Sequence, residues 1–97
     1  MLEKITAIII EELAELLSEM APNYTGAVDE TTRLYGKNGT LDSIGLVNLT
    51  VAVEERVADE LEKNVILADE RAMSMKVSPF SQVKRLAEWV EILIKEA

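Results

Sequence analysis

The chain has 97 residues, enough for one domain with one core, and a domain of this size buries roughly 60–70% of its unfolded surface. Its net charge of −8 argues against nucleic acid or an anionic membrane as ligand, because phosphate-rich surfaces need Lys/Arg patches. Cys and His are both missing, which excludes disulfides, Cys–His and Ser–His nucleophilic catalysis, and the usual zinc and copper sites.

The chain is 48% hydrophobic, with few aromatics and only short β-branched runs, so an all-α fold of packed helices is expected. Residues 2–20 read as helix one, with Leu2, Ile5, Ile9, Leu13, Leu16 and Met20 recurring at three- and four-residue spacing. Ala21-Pro22 ends it, since the residue before Pro is pushed out of α geometry. Glu3, Glu11 and Glu12 interrupt any secretory pattern, and Ile8-Ile9-Ile10 is too short to span a bilayer. A cytoplasmic protein without membrane insertion is expected.

Residues 21–41 have no sustained period and are punctuated by Gly26, Gly36, Asn38 and Gly39. A loop of this length has a function of its own or conceals a short element. Val28, Leu34 and Tyr35 are expected to pin it to the core. The segment lacks the spacing of a calcium loop, and Gly36-Lys37-Asn38-Gly39 lacks the P-loop frame.

An amphipathic run then begins at Leu41-Asp42-Ser43-Ile44-Gly45-Leu46-Val47-Asn48-Leu49. Asp42 or Ser43 is the N-cap of helix two, residues 43–62, placing a hydroxyl at the positive end of a helix, where a phosphate is well received. This helix has two apolar stripes. Leu46, Leu49, Val53 and Val57 form a core face. Ile44, Val47 and Val51 form a second, offset by roughly 160–200° at 100° per residue. A small bundle cannot easily bury both, so exposure is expected for Val47. Val51 is either exposed or covered by the long loop or helix three. Glu54, Glu55, Asp59, Glu60 and Glu62 make the later half acidic.

Residues 63–68 form a short connection. Asp69 caps a short helix three from Glu70 to about Met75, with Met73 and Met75 expected as core filler. Ser78-Pro79 breaks the chain, and Ser81 is expected to cap helix four, which runs to about Glu96. Val83, Leu86, Ala87, Val90 and Leu93 or Ile94 give its buried face. Phe80 plugs the bundle end, and Trp89 packs at the bundle edge with its N–H near water or a carbonyl. With no repeat, linker or low-complexity tract, residues 1–97 read as a single domain.

Asp42-Ser43-Ile44, opening a helix after a long loop, resembles the attachment motif of the acyl carrier protein family, with Ile for the commoner Leu. The order of elements resembles that family across essentially the whole chain. The resemblance implies a four-helix acyl-carrier-like bundle in which Ser43 carries a covalent 4′-phosphopantetheine arm, installed from coenzyme A by a phosphopantetheinyl transferase with Mg²⁺. The arm's thiol would hold acyl groups as thioesters for enzymes of fatty-acid, lipid or polyketide-type synthesis. Such a carrier is not itself an enzyme. Asp42 would meet the transferase or act as a cap only. Glu54 and Glu55 would meet basic patches on acyl-loading and acyl-using partners, the Ile44, Val47 and Val51 stripe beside them would add apolar partner contacts, and Met73 would lie near the arm or its cargo. A monomer is expected. Gly45 and Asn48 stand where acids are common in the family, Arg56 interrupts the acidic run, and the linker before helix four is longer than usual, as in a specialised bacterial subgroup. An aminoacyl or D-alanyl carrier, and an unmodified acidic helical adaptor, remain as alternatives.

Overall fold

The computed structural model describes residues 1–24 and 26–97. It contains four helices, α1 (Leu2–Met20), α2 (Ser43–Leu61), α3 (Glu70–Ser74) and α4 (Val83–Glu96), with no strand longer than a single bridge among the described residues. The all-α expectation holds.

α1 is the central element, because it packs against both α2 and α4 while no Cα of α2 lies within 8 Å of a Cα of α4. Serving two neighbours widens its buried face. Ile5, Ile8, Ile9, Leu13 and Leu17 are all buried, and at 100° per residue the arc from Ile8 to Leu17 covers about 180°. Sequence spacing misses Ile8 and Leu17 for this reason. Leu2 and Met20 lie on the same side but at the helix ends, where they are exposed. Leu16 is half-buried in the groove between α1 and α2.

α2 contributes Leu49, Val53 and Val57 to the core, with Leu46 partly covered. It runs antiparallel to α1: Leu17 lies near Leu41 and Asp42, while Arg56 reaches Glu11 and Glu12. The Arg56 guanidinium is 3.0 Å from Glu11 and 2.8 Å from Glu12, and it also binds Glu60 one turn on. The basic residue that interrupts the acidic run is therefore the clamp between the two helices.

α4 buries Val83, Leu86, Ala87, Val90, Leu93 and Ile94, so the choice between Leu93 and Ile94 resolves to both. Trp89 is 4% exposed rather than at the edge, and its indole N–H donates to the Leu67 carbonyl at 2.7 Å. This bond ties the 62–69 connection to α4. Phe80 is buried, as expected.

The long loop does conceal a short element, an isolated antiparallel bridge between Arg33 and Gln82. Around it the Leu34 N–H donates to the Ser81 carbonyl at 2.9 Å, the Val83 N–H to Thr32 at 3.1 Å and the Lys84 N–H to Glu30 at 2.8 Å. Loop carbonyls thus satisfy the first donors of α4, which a helix cannot satisfy internally. Ser81 is not the cap. The N-cap is Gln82, without a side-chain bond, and the Ser81 hydroxyl donates to the Ser78 carbonyl. Leu34 is buried and Val28 half-buried, but Tyr35 is exposed, because neighbours in an extended segment point to opposite sides. The loop then turns through Gly39, where a Cβ would lie 2.7 Å from the Leu34 carbonyl oxygen, and the Leu41 N–H closes onto that carbonyl at 2.8 Å.

The Arg56 hydrogen bond holds the Glu60 carboxyl below its ordinary value of 4.5. A carboxyl depressed on folding stabilises above its unfolded pKa, and that stabilisation is lost as pH falls through the folded value. Thermal melts of the wild type and of Arg56→Met should therefore differ most near neutral pH, and the difference should shrink as pH falls below 4.5 through the folded value.

Candidate functional site

The start of α2 is built from the loop side. Leu41 is buried and anchored to Leu34, which fixes the backbone entering the helix. Asp42 follows in extended geometry (φ −86°, ψ −175°), and its Oδ1 accepts from the Gly45 N–H at 2.7 Å. Of the two capping candidates, the cap is therefore Asp42. Ser43 is the first residue of α2 and is exposed, so its hydroxyl is not consumed by the helix end.

Gly45 has a packing reason. It is buried in the first turn, and a Cβ there would stand 3.1 Å from Leu41 Cδ2 and 3.3 Å from Asp42 Oδ1. A larger residue would press on both the anchor and the cap. A shallow pocket of about 70 Å³ lies beside the cap, lined by Leu17, Met20 and Leu41 among others.

Beyond the cap, Ile44, Val47 and Val51 are 67, 60 and 47% exposed. Among the described residues no loop or helix covers the second stripe, Val51 included. At 100° per residue, Glu55 falls within about 20° of Ile44 on the wheel, and it too is exposed. The structure thus brings Ser43, Ile44, Val47, Val51 and Glu55 onto one open surface of α2.

Two of the expected site residues are set differently from these. Glu54 is half-buried, and its Oε2 accepts from the Leu67 N–H at 2.8 Å, so this carboxylate braces the connection to α3. Met73 lies on α3, none of whose Cα atoms comes within 8 Å of one in α2. Neither Met73 nor Met75 fills the core. They are 73 and 42% exposed: the five-residue α3 turns only Ala72 inward, and Met75 lies just past its end in extended geometry.

α3 is held by polar contacts that the sequence pattern did not disclose. The Asp69 side chain caps it by accepting from the Ala72 N–H at 3.1 Å. Desolvation raises the Asp69 pKa, but the bonds from Ala72 and Arg71 outweigh it and leave the carboxyl below its ordinary range. Arg71 binds Glu96 at 2.8 Å, and its guanidinium lies 5.2 Å from the centre of the Trp89 ring. Sequence offers only a weak hint of this in the Asp69–Arg71 spacing; Trp89 and Glu96 are too distant along the chain.

No described helix is long and apolar enough to cross a membrane. In comparison with known proteins, the chain matches no family model, no curated protein and no solved structure. Function has to be read from the site itself.

Two substitution pairs test this geometry by chemical denaturation. Asp42→Ala should lose about 1 kcal/mol through the cap, while Ser43→Ala should leave stability nearly unchanged. Leu49→Ala should lose about 2–5 kcal/mol, while Val47→Asp, roughly half a turn away on the open face, should stay within about 0.5 kcal/mol of wild type.

Proposed function

We propose that this protein is an acyl carrier whose Ser43 bears a 4′-phosphopantetheine arm, in an acyl-carrier-like arrangement of its four helices. The observation that carries the reading is an exposed Ser43 hydroxyl at the first position of a long helix, left unspent because Asp42 makes the cap.

The chemistry fits the residues present. In attachment, the Ser43 oxygen forms a bond to the phosphorus that becomes the arm's phosphate, and the adenosine bisphosphate portion of coenzyme A departs. The Ser43 proton passes to a base on the transferase, since this chain has no His to take it. The new phosphodiester sits at the N-terminus of α2, where unpaired N–H groups and the helix dipole favour an anion. When attached, the arm supplies a thiol that this Cys-free chain lacks, and the protein supplies position and recognition. The open Ile44, Val47 and Val51 stripe with Glu55 is a surface for partners that carry apolar contacts and basic side chains. Glu54 serves the fold first, so Glu55 carries the acidic part of that contact.

Incubation with coenzyme A, Mg²⁺ and a broad-specificity transferase, followed by intact mass measurement, tests the reading. One phosphopantetheine should be added to wild type and none to Ser43→Ala. An unchanged wild-type mass, or equal addition to both proteins, would overturn it.

A further inference from the structure

Residues 71–87 are the longest stretch of the chain without Asp or Glu, and they contain Arg71, Lys76, Lys84 and Arg85. In a chain of net charge −8 this is a local reversal of sign. The fold turns part of it into a groove of about 350 Å³ between the segment following α3 and the outer side of α4. Met75, Val77, Trp89 and Ile92 supply apolar walls, and Lys76 and Arg85 stand among them. Three of those apolar residues, Met75, Val77 and Ile92, are between 42 and 51% exposed.

The cations are open to a ligand. Arg85 lies 3.7 Å from Glu88, which also borders the groove, and both side chains are about half exposed. An exposed pair of this kind is weak, so a better acceptor displaces it. No salt bridge among the described residues engages Lys76.

We infer that this groove docks an acidic amphipathic segment of a partner protein, seating apolar side chains between Val77 and Ile92 and carboxylates on Lys76 and Arg85. Charge complementarity selects an anionic segment over a basic one. A concave site admits side chains, whereas a flat anionic bilayer would meet the repulsion of the whole chain. The protein then has two recognition surfaces of opposite preference: the acidic, apolar stripe of α2 and this basic, apolar groove. The inference is independent of Ser43 modification.

Trp89 is the single tryptophan and lines the groove, so its fluorescence reports occupancy directly. The probe is a synthetic helical peptide of Leu and Glu, titrated into the full-length protein. It should give a saturable emission change that weakens at least about tenfold in Lys76→Glu/Arg85→Glu and in Val77→Asp, with circular dichroism verifying that both variants are folded. A matched Leu/Lys peptide should give none. The inference is overturned by any of four results: no saturable change, equal response to the Leu/Lys peptide, full binding by both folded variants, or response only to phosphatidylglycerol vesicles. Emission that changes on dilution of the protein alone would assign the groove to a second copy and overturn it as well.

Discussion

Burial of α1 on two sides is the constraint from which the remaining structure follows. With Ile5, Ile8, Ile9, Leu13 and Leu17 all enclosed, α1 takes up the inner faces of both α2 and α4. Each outer helix is then left with one covered face and one open one. On α2 the covered face holds Leu49, Val53 and Val57, and the open face still carries Ile44, Val47 and Val51. Exposing three large aliphatic side chains on one helix is unfavourable for a lone protein, and it is the arrangement expected of a surface that meets partners.

The polar contacts serve this arrangement. Arg56 fixes the antiparallel pairing of α1 and α2, and Asp42 closes the first turn of α2. Glu54 and Trp89 hold the Leu67 backbone from opposite sides, one accepting from its N–H and the other donating to its carbonyl. Arg71 completes the set by joining Asp69, Glu96 and the Trp89 ring. These bonds tie α3 to α4 through Glu96 and Trp89, while the open surface beside the proposed attachment point is built of α2 side chains. In the proposed role, that openness gives both the transferase and the acyl enzymes access to one hydroxyl.

The helices were legible because periodicity records burial locally. α1, α2 and α4 follow from repeating apolar residues, and the stop at Ala21-Pro22 follows from proline geometry. The open stripe was legible in part: two opposed apolar faces on one helix exceed what a small bundle can cover, which pointed to Val47, but the sequence left Val51 undecided. What escaped the sequence depends on residues far apart along it. Ser81 looks like a cap, but carbonyls from Glu30 and Thr32 reach the first turn of α4 instead. Glu54 looks like a surface acid, yet it meets a backbone N–H thirteen residues later. Met73 and Met75 look like core by composition, yet α3 presents only Ala72 inward and ends before Met75, and both are exposed. The reason for Gly45 appears only once Leu41 is seen beneath it.

The central claim is that another enzyme decorates one exposed hydroxyl. Its most direct test is the intact mass of the protein purified from the cells that make it, with fragmentation to locate any added group. The account predicts a mass above that of the bare chain by a phosphopantetheine, with or without acyl cargo, and places the addition on the peptide that contains Ser43. A bare Ser43 peptide throughout the native population would contradict it.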